Sequence, residues 1–546
     1  MRRGLVWILA MGAAAGLLAG CGTQESSKDN QQTEEQQNSV SEKENVIKLP
    51  EGVTDIQLSD AGITVDGNVI STDENSAVYT ANDIVFYLAD QGFAYGEGEK
   101  EDEHTQEEAD AHTVVYITEP GSYAVSGSLS AGQIAVDLGE EAEEDPEAVV
   151  TLYLNGVDIT CEVAPAVIFY NVYECGEKDV ETAAKDVDTS AAGANVVIVD
   201  DTVNTVNGSY VARIYKSYTL NEAGTEVVDN KKLHKYDGAF YSKMSLNMDG
   251  GEKGNGILNI NAENEGLDSE LHLTINGGII NINSGNDGIN TNEDNVSVTT
   301  MNGGSLNIVV NGSTGEGDGI DSNGWLVING GILTSAACGT SMDAGIDSDK
   351  GIYVNGGTVL ASGNMLDGIA GNEQPYTVFM SRKAWEGGIA YTVKDAEGKN
   401  VAEYTPENNF MYMIVSASDM TEEGSYTLWN GDVQVAEGMK GMNGMGGFGG
   451  PGMGGPGIEG FGGFGDFGGD FEGGRMPDDF EFPEGEFEIP EGGFGFPERE
   501  FEFPEGMEPG EIPAMPEGGF PEGMEPPQMP ERMERPDSEK PGRKDV

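Results

Sequence analysis

Short runs of β-branched and aromatic residues, separated by Gly, Asn and Asp, dominate the chain from about residue 46 onwards. The runs VVYITEPGSYAVSGSLSAGQIAVDL, AVVTLYLNGVDIT and ANVVIVDDTVNTVNG are examples. Such runs, bounded by turn residues, are typical of β-strands. Two acidic stretches, 96–110 and 139–147, interrupt them and are expected to be solvent-exposed loop insertions. The pattern therefore predicts an all-β fold.

Between residues 237 and 371 the chain becomes repetitive. Asn-Gly-Gly recurs at Asn276, Asn302, Asn329 and Asn355, at intervals of 26 or 27 residues. Each copy leads a β-run, and each run is followed by a Gly-Ile turn, as in NDGINTNED and GDGIDSNG. A repeat of this length, with no helical pattern, predicts a parallel β-helix. A β-propeller would need longer units, whereas another all-β solenoid or a sandwich remains an alternative.

The corner residues have expected roles in such a coil. Glycine is expected to supply positive φ, whereas asparagine tolerates the left-handed conformation and can bond to the backbone. The inward Val, Ile and Leu residues of one rung are expected to pack on those of the next, about 4.8 Å away.

The C-terminal part divides into a strand-rich segment and a low-complexity tail. Residues 372–436 are irregular, as expected of a cap on the open end of a solenoid, and their Trp and Tyr residues are interpreted as cap core rather than as a sugar-stacking platform. Residues 437–546 are rich in Gly, Pro, Met, Phe and Glu without periodicity, which predicts a disordered tail. The domain is accordingly predicted over residues 46–436.

The N-terminus carries the pattern of an export signal. Arg2 and Arg3 precede an apolar stretch that ends in Leu-Ala-Gly-Cys21, and the stretch is too short to span a membrane. This order resembles a bacterial lipoprotein signal over residues 1–20, with Cys21 lipidated and residues 21–45 as a disordered tether. The expected location is the extracellular face of the cytoplasmic membrane or the cell surface. An ordinary signal peptide with an incidental cysteine is the alternative.

Composition restricts the partners. A formal net charge of −68 and a pI near 4.1 argue against nucleic acid, since phosphates would be repelled, and favour cations or a neutral partner. Cys161, Cys175 and Cys338 form no disulfide framework. Cys161 and Cys175 could pair, but all three are better interpreted as small buried side chains.

The acids at the Gly-Ile corners are the candidate chemistry. In-register rungs would stack them into a column of like charges, which is costly unless solvent, raised pKa values or a bound cation relieves it. Asp-Gly-Ile-Asp-Ser-Asn at 318–323 supplies two carboxylates and an amide, and calcium takes six to eight such oxygens in flexible geometry. The motif is neither an EF-hand loop nor the nonapeptide calcium repeat. Ordinary polar turns are the alternative.

Catalysis by the same acids is a further alternative. A hydrolase would need two or three convergent carboxylates, such as Asp318 with Asp321. A calcium-assisted lyase would need an Arg or Lys base, but no Arg lies between Arg213 and Arg382. His272 alternates with leucines and is expected to face solvent alone. The sequence therefore disfavours a lyase of the Arg-base type and leaves a hydrolase only the repeated acids.

The ordered series ITEPGSYAVSGSLSAGQIAVDL, VTLYLNGVDIT, YDGAFYSK, repeated INGG–DGI units and SASDMTEEGSYTLWNGD resembles a bacterial family of carbohydrate-binding-domain proteins, typified by a clostridial cellulose- and pectin-binding protein. The resemblance covers residues 46–436. It implies a right-handed parallel β-helix that carries several calcium ions and binds acidic pectic polysaccharide and cellulose, with no established enzymatic activity. It also implies calcium ligands at the acids of GLDSE, DGIN, DGID and DAGIDSD.

Together these features predict a lipid-anchored surface protein that binds polysaccharide through a calcium-stabilised β-helix. A polysaccharide hydrolase or lyase and a structural or adhesive surface protein are the alternatives. The predicted metal ligands are Asp237, Asp268, Asp287, Asn290, Asp318, Asp321, Asp343, Asp347, Asp349 and Asp367.

Overall fold

The computed structural model describes residues 49–440, except residues 90, 91, 97, 99, 177, 222 and 226. These residues belong to one compact unit. The predicted lipid attachment site Cys21, its tether and residues 441–546 of the predicted tail lie outside the described residues.

The described residues form 35 strands, one α-helix and three 3-10 helices. The helices are α1 (Gln106–Asp110) and the 3-10 helices Gly92–Tyr95, Lys100–Asp102 and Glu140–Glu144. The first strands are β1 (Thr54–Ser59), β2 (Thr64–Val65), β3 (Asn68–Val69), β4 (Val78–Ala81), β5 (Thr113–Ile117), β6 (Gly121–Leu129), β7 (Gly132–Asp137), β8 (Val150–Thr160), β9 (Val167–Asn171), β10 (Ala194–Ile198), β11 (Val203–Gly208), β12 (Val211–Leu220) and β13 (Val227–Tyr236).

The repetitive region continues with β14 (Gly238–Ser242), β15 (Leu246–Gly250), β16 (Ile257–Ala262), β17 (Glu265–Ser269), β18 (Leu273–Ile275), β19 (Ile279–Ser284), β20 (Ile289–Thr291), β21 (Val298–Met301), β22 (Ser305–Val310), β23 (Ile320–Ser322), β24 (Trp325–Ile328), β25 (Ile332–Ala336), β26 (Gly351–Val354), β27 (Thr358–Gly363) and β28 (Ile369–Asn372). The final strands are β29 (Tyr376–Trp385), β30 (Tyr391–Lys394), β31 (Asn400–Tyr404), β32 (Phe410–Ser416), β33 (Thr427–Asn430), β34 (Val433–Glu437) and β35 (Met439–Lys440). The prediction of a nearly all-β protein is confirmed.

Parallel pairing arranges most of these strands in three ladders. Ladder 1 contains β6, β8, β10, β15, β18, β21, β24, β26 and β28. Ladder 2 contains β1, β6, β8, β11, β16, β19, β22, β25 and β27, since the long strands β6 and β8 take part in both. Ladder 3 contains β5, β7, β9, β14, β17, β20 and β23. In the repeats the chain passes through each ladder in turn.

The core lies on the inward side of the ladders. In ladder 2, Leu258, Ile280, Leu306, Leu333 and Val359 are register partners on successive strands, and each is at most 1% exposed. Burying each such side chain contributes about 1.5–3 kcal/mol, so the stacking of rungs is the main stabilising contact of the repeat.

Glycine and asparagine have different roles in the Asn-Gly-Gly corners. The second glycine of each corner has positive φ as expected, for example +84° at Gly278 and +79° at Gly304. The asparagines do not adopt the left-handed conformation, because the non-glycine residues with positive φ in the described chain are Asp66, Asp201 and Asn295. The asparagine amides instead hydrogen-bond from rung to rung.

The segment predicted as a C-terminal cap is rich in strands and has its own core. Strand β32 pairs antiparallel with β27, which ends the parallel run of ladder 2, and also with β29. Tyr391, Phe410 and Leu428 are buried in this second core, and the rings of Tyr391 and Phe410 meet edge to face at 5.3 Å. These aromatic residues of the cap are therefore core residues, as predicted.

Two further features complete the described chain. Strands β12 and β13 form a separate antiparallel hairpin. Cys161, Cys175 and Cys338 are free, and Cys161 and Cys338 are buried whereas Cys175 is half-buried. Within the described residues no helix has the length and apolarity needed to cross a membrane.

Candidate metal centre

A glycine followed by Ile or Leu bends the chain at the start of the ladder 3 strands β17, β20 and β23. A Cβ added to Gly288 would lie 2.2 Å from Cγ2 of the core residue Ile308, so this position points inward. The next residue, Ile289, is also fully buried in the core. Two consecutive inward positions require a bend, and residues at i and i+3 around it then project to the same side. The motif thus places Asp287 and Asn290 side by side.

The same arrangement recurs one rung earlier and one rung later. Gly266 and Gly319 would also clash with inward atoms if they carried a Cβ, at 2.3 Å from Ile282 Cγ2 and 1.8 Å from Ser335 Oγ. The glycine is needed here for space rather than for positive φ. Stacking the bends produces two neighbouring rows of polar side chains along ladder 3.

The first row follows the strand register. Asp268, Asn290 and Asp321 are Cα partners on β17, β20 and β23. Asp268 is fully buried and its Oδ1 accepts a hydrogen bond of 2.5 Å from Asn292 Nδ2. Asn290 is 8% exposed and its Nδ2 donates to Glu265 Oε1 at 3.0 Å. Its Oδ1 is buried without a hydrogen-bond partner among the described residues.

The second row is formed by the acids that precede the glycines. The backbone N–H of Asp318 donates to Asp287 Oδ1 at 2.6 Å, and the N–H of Ala344 donates to Asp318 Oδ1 at 2.5 Å. The N–H of Gly317 donates to Asp343 Oδ2 at 2.7 Å. Each of these three carboxylates therefore accepts a backbone N–H from an adjacent rung, and this bond fixes its orientation.

Three of these acids converge. Carboxylate oxygens of Asp318, Asp321 and Asp347, one from each, lie within 4.8 Å of one another, and all three residues are half-buried. Asp347 joins because its N–H donates to the Ile320 carbonyl at 2.7 Å, which brings the next rung alongside β23. In the described part of the chain no Lys or Arg forms an ion pair with Asp318 or Asp347. We call Asp318, Asp321 and Asp347 the acid cluster.

Burial and mutual repulsion raise the pKa values of these carboxyls. Burial raises the pKa of Asp287 well above its usual range, and the charges of Asp321 and Glu265 add to the effect. The pKa of Asp318 is likewise well above its usual range, through burial and the charges of Asp287 and Asp321. Burial, with the charge of Asp349, raises the pKa of Asp347 to about 6. Binding of a cation at these carboxyls would therefore compete with their protonation.

The other predicted ligands lie along the same side but outside the acid cluster. Asp237 is half-buried before β14, where its carbonyl accepts the N–H of Glu265 at 3.3 Å. Asp349 is exposed. Burial and the charge of Asp347 raise the pKa of Asp367 to about 7, and Asp367 Oδ2 is buried without a hydrogen-bond partner among the described residues.

Glu265 belongs to the rows although it was not predicted. It is 7% exposed and contacts Asn290 through the hydrogen bond given above. The signal was present in the sequence, because Glu265-Gly-Leu-Asp268 has the same order of acid, glycine, apolar residue and acid as Asp318-Gly-Ile-Asp321.

His272 was expected to face solvent and that expectation is wrong. It is 1% exposed, and its Nδ1 accepts the backbone N–H of Val298 at 3.1 Å. The segment around Glu174 and Gly176 covers it, since a Cβ on Gly176 would lie 2.3 Å from the His272 ring. An insertion far away in sequence thus buries a position whose local pattern indicates exposure.

The donor set fits a hard divalent cation. Three carboxylates converge, and a buried amide oxygen without a hydrogen bond among the described residues lies one rung away at Asn290. Calcium accepts such oxygens in number and with flexible geometry.

Comparison with known proteins bears on the family. The family model of carbohydrate-binding domain-containing proteins matches residues 111–399, just over half of the chain. No curated protein matches significantly. A solved structure described as the polysaccharide lyase-like protein from C. thermocellum, a gadolinium derivative, is 19% identical, with 56% of this chain and 93% of that chain covered and a TM-score of 0.30. By its match to the family model, the chain belongs to the family of carbohydrate-binding domain-containing proteins.

Proposed function

We propose that this protein binds polysaccharide at the bacterial cell surface and that its fold is stabilised by calcium at the acid cluster. The observation that carries the metal part of the proposal is the convergence of Asp318, Asp321 and Asp347 within 4.8 Å. Like charges at this separation repel by about 3 kcal/mol per pair at an effective dielectric constant near 20, which a divalent cation would reverse. Membership of the carbohydrate-binding family supports the polysaccharide part.

The acid cluster would supply the first ligands, and Asp287 and Asn290 are the next candidates along the rows. A bound cation would neutralise carboxylates whose repulsion otherwise raises their pKa values. It would also let this acidic protein, with its net charge of −68, contact an acidic polygalacturonate without repulsion.

The ladders support a right-handed parallel β-helix as the finer description of the fold. Asparagine bonds between successive rungs span 26 or 27 residues, the length of one coil. Crossover connections between parallel strands are almost always right-handed.

The anchor is proposed from residues 2–21, whose order resembles a lipoprotein signal. Cys21→Ser is expected to abolish incorporation of radiolabelled fatty acid and to release the protein from the membrane fraction. Unchanged labelling of this variant would contradict the proposal.

Calorimetry on the purified full chain tests the function. Polygalacturonate is expected to bind in the presence of calcium and to lose affinity when a chelator is added. Titration with a neutral glucan shows whether the protein also binds polysaccharide that carries no charge. If the protein binds no polysaccharide in the presence of calcium, the proposal is wrong.

The same samples distinguish binding from cleavage. The raised pKa of Asp347, about 6, is the observation that favours an acid–base role. An enzyme would release new reducing ends or unsaturated products from pectin and lose them in Asp318→Ala. We expect neither new reducing ends nor unsaturated products when the protein is incubated with saturating pectin.

A further inference from the structure

A groove lies on the outer face of ladder 1, away from the acid rows of ladder 3. Its floor is the outward row Thr274, Thr300 and Val327, which are register partners on β18, β21 and β24. Residues 185–190 form one wall, and the Asn-Gly-Gly corners form the other. The volume is about 630 Å³, within the range of about 300–1,000 Å³ that small-ligand sites occupy.

The wall formed by residues 185–190 is fixed at both ends. Thr189 is 4% exposed, its Oγ1 donates to Asn247 Oδ1 at 2.7 Å, and Asn247 Nδ2 donates back to the Thr189 carbonyl at 2.8 Å. At the other end the Lys185 ammonium lies 5.2 Å from the centre of the Tyr353 ring. Asn247 and Tyr353 are four rungs apart in the same row, so the groove runs for about 19 Å along the stacking direction.

The opposite wall is a ladder of oriented amides. Asn302 Nδ2 donates to Asn276 Oδ1 at 2.9 Å, Asn329 Nδ2 donates to Asn302 Oδ1 at 2.9 Å, and Asn355 Nδ2 donates to Asn329 Oδ1 at 2.8 Å. An asparagine amide has two N–H donors and two acceptor lone pairs, so one donor and one lone pair of Asn302 stay available to a ligand. The side chains repeat at rung spacing, and their orientation is already fixed, which lowers the entropic cost of binding.

The charge of the groove selects among glycans. Asp186, Asp188 and Asp249 line it, and its one lysine, Lys185, pairs with Asp186 at 2.5 Å. The net charge of the lining is negative, so a polyuronate would be repelled there. A straight lining of amides and hydroxyls instead matches the hydroxyl groups of an extended, uncharged sugar chain.

We propose that this groove binds a neutral, extended polysaccharide through the amide ladder and the Thr300 hydroxyl of its floor. The inference rests on the polysaccharide-binding function proposed above. It adds where on the coil the polysaccharide binds and that this polysaccharide is uncharged. Neutral glycan and calcium would then occupy different faces of the same coil.

Two asparagines provide a matched pair of variants. Asn302 lies in the groove wall, whereas Asn307 lies on the outer face of ladder 2. Each amide makes one rung-to-rung bond as donor and one as acceptor, since Asn307 Nδ2 donates to Asn281 Oδ1 at 2.9 Å and Asn307 Oδ1 accepts from Thr334 Oγ1 at 2.8 Å. Asn302→Ala and Asn307→Ala therefore break equivalent ladders, and only the first removes a groove donor. Thr300→Val is a second groove variant that keeps the strand and removes a hydroxyl from the floor.

Calorimetric titration of the full chain with cellohexaose, in saturating calcium, is the test. We expect Asn302→Ala to weaken binding about tenfold, the loss expected for one or two hydrogen bonds, and Thr300→Val to weaken it severalfold. Asn307→Ala is expected to stay within about twofold of the wild type, and hexagalacturonate affinity is expected not to change in any of the three variants.

Other outcomes overturn the inference in distinguishable ways. If the wild type binds polygalacturonate but not cellohexaose, or if neither groove variant weakens cellohexaose binding, the groove assignment is wrong and the proposed function stands. Equal losses in Asn302→Ala and Asn307→Ala would show a general effect on the coil and also refute the assignment. If the wild type binds no glycan at all, both proposals fail.

Discussion

Replacing Asp318 by asparagine is expected to change stability in opposite directions with and without calcium. Asp318→Asn keeps the shape of the side chain and an oxygen that can still accept the N–H of Ala344. It removes one of three carboxylates that lie within 4.8 Å of one another. Without a cation that removal relieves repulsion, whereas with calcium it removes a ligand.

The expected magnitudes follow from these distances. One pair of ionised carboxylates at 4.8 Å repels by about 3 kcal/mol at an effective dielectric constant near 20. Protonation already relieves part of this, because the pKa of Asp318 is well above its usual range. We therefore expect the calcium-free variant at pH 8 to be more stable than the wild type by about 1–3 kcal/mol. Loss of a ligand is expected to weaken calcium binding about tenfold, which removes about 1.4 kcal/mol of calcium stabilisation.

Thermal unfolding followed by circular dichroism, in chelator and in calcium, measures both effects. The variant is expected to have the higher Tm in chelator and the smaller gain in Tm on adding calcium. Glu316→Gln is the control, because Glu316 is exposed, lies two residues away and carries the same charge, and both of its curves should follow the wild type. A Tm for Asp318→Asn in chelator at or below that of the wild type would refute the electrostatic reasoning.

Three other predictions concern pH, the bends and the core. Because the folded-state pKa values of Asp347, about 6, and Asp367, about 7, exceed the ordinary 3.8, folding favours their protonated forms. Stability of the calcium-free protein should then be greatest near pH 4 and fall as pH rises through 6 and 7, by about 3 kcal/mol for Asp347 alone; a rising Tm over this range would contradict the assignment. Gly288→Ala should destabilise by about 2 kcal/mol or more in urea unfolding, because its Cβ would lie 2.2 Å from Ile308, whereas Gly368→Ala, in the same Asp-Gly-Ile motif but with open space around it, should be nearly neutral. Ile308→Ala should cost about 2–5 kcal/mol, and Ile332→Ala, 49% exposed, about 0.5 kcal/mol or less; similar losses would argue against the assigned inward face.

The repeat could be predicted because its signals are local. Apolar positions, Asn-Gly-Gly corners and Gly-Ile bends recur at fixed spacing, and stacking then follows from the need to bury each rung on its neighbour. The recurring order of an acid, a glycine and an apolar residue likewise predicted the rows of ladder 3. Glu265 fits the same order, because it precedes Gly266 and Leu267. A strict repeat constrains every rung in the same way, so one rung predicts the next.

The remaining features depend on contacts that the repeat does not encode. Asp347 reaches Asp318 and Asp321 although its own corner, Asp343-Ala-Gly-Ile-Asp347, is one residue longer than the others. His272 is buried because a distant insertion covers it. The asparagines of the corners bond to one another across rungs, a choice that propensities for turns do not distinguish from a left-handed conformation.

Anomalous diffraction from crystals of the calcium-bound protein tests the central claim most directly. The account predicts a peak with calcium's anomalous signal about 2.3–2.6 Å from carboxylate oxygens of Asp318, Asp321 and Asp347. Their side chains free of metal, or a metal bound only elsewhere in the molecule, would contradict it.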